Sequence, residues 1–215
     1  MQAEEALLEI TNRRINDYIR RLLPSGDAVL SQMEAYAAEN EFPIIGPMVG
    51  PILRQLAFAI RAKNIFELGS GFGYSAYWFA GGLRNGGKII LTDHSRDNRR
   101  KALAYLRRGG FERVIDFHVG DALEILSRCN GPFDIILNDI DKEDYPRAFD
   151  LAIPRLRRGG LFITDNVLWS GRILRKNADK TSQAILEFNR KLFNTKGVLS
   201  SIIPIRDGIA IAAKL

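Results

Sequence analysis

Acidic and amide side chains follow two short apolar runs in the second half of the chain. They are Asp139 and Asp141 after the run FDIIL, with Lys142 beside them, and Asp165 and Asn166 after the run LFIT. Both runs have the length and composition of buried parallel strands. Because the carboxyl ends of neighbouring parallel strands face one crevice, these side chains are expected to lie close together. Two carboxylates, one amide oxygen and a lysine would suit a hard divalent cation with a base beside it.

A glycine-rich turn follows an earlier apolar run, NIFEL. It reads Gly69-Ser70-Gly71-Phe72-Gly73 and leads directly into a predicted helix. The glycines allow the backbone to approach a ligand closely, and the free amides of a helix start can receive a carboxylate or phosphate. Residues 71–76 also satisfy the dinucleotide pattern G-x-G-x-x-A, so a nicotinamide-dependent oxidoreductase stays open as an alternative.

Three acids near the ends of successive strands favour a nucleoside cofactor without a pyrophosphate. Glu67 would repel the phosphates of a dinucleotide, but it suits a cofactor that carries an ammonium and a sulfonium. Asp93 comes 22 residues after Gly71, the usual distance for an acid that binds ribose hydroxyls. Asp121, in the segment Gly120-Asp121-Ala122, can accept the adenine amino group. Asp93 and Asp121 could each instead cap the helix that follows.

The elements that must position these side chains alternate regularly from Asn64 onward. The predicted strands are NIFEL, KIILT, VIDFHV, FDIIL and LFIT, separated by helices at 74–82, 97–108, 122–128 and 146–157. This alternation predicts an α/β fold with a Rossmann-like, doubly wound and mostly parallel sheet. VLSSIIPI and GIAIAAKL flank Arg206-Asp207 and predict an antiparallel hairpin, which brings the sheet to seven strands.

Three helices are predicted before the sheet, at about 4–23, 27–40 and 47–62, with Pro24 as a stop and Asp27 as an N-cap. We expect a single domain, in which residues 1–62 form a helical lid or dimer surface and residues 63–215 form the core that binds the cofactor and the metal. The amphipathic first helix and the uncovered hairpin edge predict a homodimer.

The composition fits a globular cytoplasmic protein. Hydrophobic residues are 46% of the chain and charged residues 26%. No apolar run reaches the roughly 18 residues of a membrane span, and the amino terminus is acidic, unlike that of a signal peptide. The single cysteine, Cys129, excludes an internal disulfide. The formal charge of +6 permits a polyanionic partner without requiring one.

The order of the motifs resembles the cation-dependent class I O-methyltransferases, the family of catechol and caffeoyl-coenzyme A O-methyltransferases and their small bacterial relatives. The motifs are ELGSGFGYS, TDHS, GDALEIL, NDIDKEDY and GGLFITDNVLWSGRI. D-x-D-K and DNVLW-x-G are the most specific of them, and the similarity extends to FPIIGP upstream and RDGIAIAAKL at the end. The resemblance implies methyl transfer from S-adenosylmethionine to a hydroxyl group.

The resemblance also implies roles for individual residues. The implied ligands of a metal, Mg²⁺ or Mn²⁺, are Asp139, Asp165 and Asn166. The implied S-adenosylmethionine contacts are Glu67, Gly69, Ser70, Ser75, Asp93, Ala122 and Asp141, beside which Gly71, Gly120, Asp121 and Asp139 are also expected to contact the cofactor. Lys142 is the implied base, acting beside Asp139. As an alternative, Lys142 would be a surface lysine paired with Asp141, Glu143 or Asp144.

The methyl acceptor is predicted to be a small hydroxylated aromatic, such as a catechol or a hydroxycinnamoyl ester. The stretch between Gly171 and Val198 is shorter than in the plant enzymes, where it builds much of the acceptor pocket, so the resemblance does not identify the acceptor. Some bacterial relatives methylate a hydroxylated uridine in transfer RNA. The positive charge keeps that alternative open, although it is not favoured.

Overall fold

Strands and helices alternate along the chain in the computed structural model, which describes residues 10–23 and 27–215. The strands are β1 Asn64–Leu68, β2 Lys88–Asp93, β3 Ile115–Val119, β4 Phe133–Asn138, β5 Leu156–Thr164, β6 Val198–Ile203 and β7 Ile209–Lys214. The helices are α1 Arg13–Leu22, α2 Ala28–Glu39, α3 Gly50–Ala59, α4 Tyr74–Ala80, α5 Arg96–Arg108, α6 Ala122–Arg128, α7 Tyr145–Arg155 and α8 Lys180–Asn194.

The seven strands form one sheet in the order β3-β2-β1-β4-β5-β7-β6. The first five strands run parallel, whereas β7 runs antiparallel to both β5 and β6. This confirms the predicted doubly wound sheet and its terminal hairpin. The strand order reverses between β1 and β4, and such a switch point places a crevice outside the carboxyl ends of the strands.

Hydrophobic packing covers both faces of the sheet. All six residues of β4 are buried. Its alternate side chains enter different clusters: Ile135 and Leu137 join the cluster that contains α2 to α5, and Ile136 joins the one that contains α6 to α8. Since successive side chains of a strand point to opposite faces, a strand buried on both sides needs an unbroken apolar run. In β4, Ile135, Ile136 and Leu137 meet that requirement, whereas Asp134 is buried as an acceptor of hydrogen bonds from the amides of Lys63 and Asn64.

The N-terminal helices differ in how they pack. Asp27 accepts hydrogen bonds from the amides of Val29 and Leu30, which confirms it as the N-cap of α2. Helices α2 and α3 contribute buried side chains to the core. In contrast, α1 buries none of its residues. The helix predicted at 4–23 begins only at Arg13, because the Asn12 side chain caps it by accepting a hydrogen bond from the Arg14 amide. Residues 1–9 and Pro24 lie outside the described residues.

Two parts of the sequence prediction need correction. The 15-residue helix α8 was not predicted, although Ile185, Phe188 and Leu192 are buried at helical spacing and Asp179 caps its start. The helix predicted at 146–157 ends at Arg155, because Leu156 pairs with Phe133 and so begins β5. None of the described helices is long and apolar enough to cross a membrane.

Candidate active site

A cavity of about 380 Å³ lies at the carboxyl ends of β1, β2, β4 and β5, and we call it the strand-end cavity. Its walls contain most of the residues that the sequence analysis singled out. Those residues are Gly69, Ser70, Gly71, Ser75, Asp93, Gly120, Ala122, Asp139, Asp141, Lys142, Asp165 and Asn166. The parallel sheet therefore brings together side chains that are far apart in sequence.

The glycine turn is held close to β4 and β2. Gly69 has a φ of +79°, and a Cβ at this position would lie 2.4 Å from the carbonyl oxygen of Asp139, so only glycine fits. The Gly71 amide donates to Asp93 Oδ2 at 3.1 Å. Helix α4 then starts without a side-chain cap, which leaves amides at its first turn to receive a ligand.

Asp93 lies at the end of β2 and organises the loop around it. Its Oδ1 accepts hydrogen bonds from the Ser95 amide at 2.8 Å and from Asn98 Nδ2 at 3.0 Å. Ser95, not Asp93, is the N-cap of α5. The capping alternative for Asp93 is therefore wrong, and Asp93 lines the wall of the strand-end cavity.

Glu67 is buried below the glycine turn, with 1% of its surface exposed. Its Oε2 accepts a hydrogen bond from Ser75 Oγ at 3.1 Å, whereas Oε1 is buried without a partner among the described residues. Burial raises the pKa of Glu67 to about 8, although the Ser70 and Ser75 hydroxyls act in the opposite direction. An orphaned carboxylate oxygen of this kind fits a cationic ligand group such as the predicted ammonium.

Asp139 and Asp165 follow the adjacent strands β4 and β5. A hydrogen bond of 3.2 Å from the Asp165 amide to the Asn138 carbonyl joins the two strand ends. Desolvation raises the pKa of both carboxyl groups, and the charge of Asp139 helps to raise that of Asp165 to about 7. Asp165 Oδ1 is buried and has no partner among the described residues. Two such carboxylates attract a divalent cation, because the cation removes their mutual repulsion.

Asn166 completes the predicted metal set with a neutral oxygen. It has a φ of +59° and lines the same cavity. Among the described residues, no group of three or more His, Cys, Asp or Glu side chains is placed to hold a metal. The predicted set has only two carboxylates and an amide, and this oxygen chemistry fits Mg²⁺ or Mn²⁺.

Lys142 points into the site and not into solvent. Its side chain is 15% exposed, and Nζ lies 3.4 Å from Asp139 Oδ1 and 3.3 Å from the Ile140 carbonyl oxygen. The Tyr145 and Trp169 rings lie beside the ammonium, with centroids 5.3 and 5.9 Å away. The alternative, a surface pair with Asp141, Glu143 or Asp144, is not the contact that forms: Lys142 pairs with Asp139, and Glu143 accepts a hydrogen bond from Thr181.

Asp121 is the predicted cofactor residue that the fold places differently. Its Oδ1 accepts a 2.7 Å hydrogen bond from the Glu124 amide and so caps α6. Of the described residues, its neighbours Gly120 and Ala122 line the cavity, but Asp121 itself does not. The capping alternative accounts for the position of this side chain.

Several wall residues were not identified from the sequence. They are Phe42, Pro43, Ile44, Ile45, Phe72, Tyr74, Thr92, His94, Ile140 and Arg206. The FPIIGP segment supplies four of them, and its apolar composition between two helices was the available signal. Arg206 lies in the turn between β6 and β7, and only the antiparallel pairing of β7 with β5 brings it to the cavity.

Comparisons with known proteins give one consistent result. The profile of the O-methyltransferase family matches residues 27–215. A catechol O-methyltransferase from Niastella koreensis is 32% identical over 210 residues, which cover 92% of this chain and 95% of the relative. A caffeoyl-CoA O-methyltransferase from Eucalyptus globulus is 33% identical over 178 residues, which cover 77% of this chain and 72% of the relative.

Solved structures agree with the sequence relatives. An O-methyltransferase from Bacillus cereus in complex with SAH superposes with a TM-score of 0.86 and 26% identity, covering 94% of this chain and 97% of the other. The O-methyltransferase TomG from Streptomyces achromogenes in complex with SAM gives a TM-score of 0.85 and 26% identity, with coverage of 100% and 99%. Both structures carry a methyl donor or its product.

Proposed function

The chain belongs to the O-methyltransferase family and is an S-adenosylmethionine-dependent enzyme, and from this we propose that it methylates a hydroxyl of a small catechol-like or hydroxycinnamoyl acceptor with the help of a divalent metal. The nicotinamide-dependent alternative has no support among the relatives, which are methyltransferases. The observation that carries the proposal is the convergence of a cavity of about 380 Å³, two adjacent carboxyl groups and a lysine at one place.

Residues at the ends of β1 and β2 support a binding site for the methyl donor, S-adenosylmethionine, on this side of the cavity, which we call the donor side. Asp93 would bind the ribose hydroxyls, and Glu67 would bind the ammonium of the methionine part. The narrow approach at Gly69 and Gly71 would let the backbone contact the same group. The orphaned Oε1 of Glu67 supports this arrangement, because a cationic partner offsets the desolvation of a buried carboxylate.

The acceptor side would be built by Asp139, Asp165 and Asn166 as metal ligands. A divalent ion bound there would supply Lewis acidity, which favours ionisation of the acceptor hydroxyl. Lys142 Nζ, in its neutral form, would take the hydroxyl proton. The oxygen then attacks the methyl carbon, the carbon–sulfur bond breaks, and its electron pair stays on sulfur to give a thioether.

A methyl-transfer assay with S-adenosylmethionine tests this proposal. The acceptors should be a catechol, a hydroxycinnamoyl-CoA ester and undermodified transfer RNA, each assayed after chelation and after Mg²⁺ or Mn²⁺ is restored. We expect transfer to the small aromatics only with metal. Full turnover in chelated protein would contradict the metal assignment. Transfer to RNA alone, with salt-sensitive binding, would replace the acceptor class. The homodimer and the cytoplasmic location remain predictions from the sequence.

A further inference from the structure

Arg206 occupies an unusual position in the turn that joins β6 to β7. The Gly208 amide donates to the Ile205 carbonyl across this turn at 2.8 Å, and Arg206 has a φ of +51°. A non-glycine residue is strained in this region, and such strain persists where the surroundings hold the residue in place. Arg206 therefore places a long charged side chain at a backbone conformation that glycine would adopt more easily.

The surroundings hold both the turn and the guanidinium. The Leu168 amide donates to the Asp207 carbonyl at 2.9 Å, and the Val167 amide donates to the Gly208 carbonyl at 3.1 Å. Arg206 Nη1 donates to the carbonyl of Ile45. The guanidinium passes close to Gly46, where an added Cβ would lie only 3.6 Å from it. Its position is thus set by backbone groups on two sides.

The fixed guanidinium faces the acceptor side of the strand-end cavity. Nη1 lies 3.7 Å from Asp165 Oδ2, and the Arg206 side chain is 34% exposed. The residue lines the strand-end cavity and also a neighbouring cavity between α1, α2 and the segment 42–48. A ligand that lies against Asp165 would therefore be within reach of the remaining guanidinium donors.

The charges around this position favour an anion. A divalent ion would offset the two carboxylates of Asp139 and Asp165, and the sulfonium adds a further positive charge. Arg206 would then carry a positive charge that the ionised hydroxyl alone does not balance. A guanidinium pairs strongly with a carboxylate in a partly desolvated site, through two parallel hydrogen bonds.

We propose that Arg206 selects acceptors whose aromatic ring carries a carboxylate, directly or on a short side chain. This inference rests on the proposed function, since it takes the acceptor hydroxyl to lie beside Asp165. Because Arg206 contacts Asp165, its guanidinium lies close to the expected position of the acceptor hydroxyl. The anionic group of the acceptor must therefore lie near the ring, and a phosphate far from the ring would not reach the guanidinium. Among catechol-like acceptors, the preferred class is then a dihydroxylated aromatic acid over a neutral catechol.

The experiment compares 3,4-dihydroxybenzoate with catechol, in wild type and in Arg206→Met. The quantity of interest is the ratio of the two kcat/KM values, because any change in metal binding affects both acceptors and cancels. We expect wild type to favour the acid, and Arg206→Met to lower the ratio roughly tenfold to a hundredfold. Arg206→Lys should retain part of the preference, since it keeps the charge but loses the planar fork.

Arg20→Met is the matched control, because Arg20 lines the neighbouring cavity but not the strand-end cavity. It removes the same charge and should leave the ratio as in wild type. Equal ratios in wild type and Arg206→Met would overturn the proposal, as would an equal loss in Arg20→Met. If Arg206→Met does not fold, Arg206→Gly replaces it, because glycine adopts the positive φ without strain.

Calorimetric titration separates a failure of this inference from a failure of the proposed function. Both ligands are titrated into protein that holds S-adenosylhomocysteine and Mg²⁺, so no turnover is needed. A preference for the acid that disappears in Arg206→Met would support the role of Arg206 even if no methyl transfer occurred. Equal affinities in wild type would overturn it even if catechol were methylated.

Discussion

Lys142 Nζ lies 3.4 Å from Asp139 Oδ1, and the lysine side chain is only 15% exposed. The contact joins the proposed base to a proposed metal ligand on the same loop. A lysine in this position is within reach of a hydroxyl that lies against Asp139. The same contact would hold the lysine side chain in place before the metal and the acceptor bind.

Lys142→Ala should lower kcat by about 10²–10⁴, the range for removal of a positioned general base, with little change in the affinity for S-adenosylmethionine. The loss should be smaller for a nitro-substituted catechol, whose hydroxyl is already partly ionised. Steady-state kinetics with both acceptors measure this. Lys196→Ala, at an exposed lysine between α8 and β6, is the control. Equal losses for the two acceptors would indicate a positioning role, and wild-type turnover would refute the base assignment.

Asp93→Ala should weaken S-adenosylmethionine binding by roughly 1–3 kcal/mol, because ribose hydroxyls would lose a charged acceptor. It should also reduce thermal stability, since Asp93 holds the amides of Gly71 and Ser95. Calorimetry and thermal unfolding measure the two effects. In comparison, Asp121→Ala should mainly cost the cap of α6, about 1 kcal/mol of stability. A larger loss of cofactor affinity in Asp121→Ala than in Asp93→Ala would contradict this placement.

Asp165→Ala combined with Asn166→Gly should abolish metal-dependent turnover and keep cofactor binding, because both ligands lie on the acceptor side. Glycine is chosen at position 166 because its φ is +59°. Titration with Mn²⁺ should show loss of the metal site, while titration with S-adenosylhomocysteine should give near wild-type affinity. Metal-stimulated activity in this variant would exclude both residues as ligands.

The cofactor-free protein should become less stable as pH rises from about 4.5 to about 8. The folded protein keeps a proton on Glu67 up to a pKa of about 8, whereas the unfolded chain releases it near 4.5, so the folded state binds more protons in this window. At about 1.4 kcal/mol per pKa unit, the loss is on the order of 5 kcal/mol. Denaturant unfolding at several pH values measures it.

Glu67→Gln isolates this contribution, because glutamine keeps the side-chain size and cannot titrate. The difference in unfolding free energy between wild type and the variant should change across the window, in favour of the variant as pH rises. A constant difference would show that the Glu67 carboxyl group is not protonated in the folded protein. The stabilisation by S-adenosylhomocysteine should increase with pH in wild type, because its ammonium pairs with the ionised carboxylate.

Sedimentation at micromolar concentration should show a dimer. The side chains of Ile15, Tyr18 and Leu22 form an apolar face on α1 and are 53%, 61% and 64% exposed, a liability that self-association removes. Ile15→Asp combined with Leu22→Asp should shift the protein towards monomer without loss of the sheet. A monomeric wild type would refute the prediction.

The sequence by itself determined the strands of the parallel sheet and the end of that sheet at which the acidic side chains lie. Mainly apolar runs such as FDIIL predict strands buried on both faces, and the acids that follow them are expected at one edge, because parallel strands share their carboxyl ends. Together with the family resemblance, this predicted one site for Asp139, Asp165 and Asn166, and all three line the strand-end cavity. The periodic signal of α8 was also present in the sequence and was not used.

Tertiary structure decided which side chains point into that site. Asp93 and Asp121 both follow a strand, but Asp121 caps α6 whereas Asp93 stays on the cavity wall, and this choice depends on local loop geometry. Arg206 could not be placed from the sequence. It reaches Asp165 because β7 runs antiparallel beside β5, with Ala210 opposite Thr164, so the turn before β7 lies at the end of β5. Such long-range pairing is set by packing of the whole sheet and leaves no local pattern around the arginine.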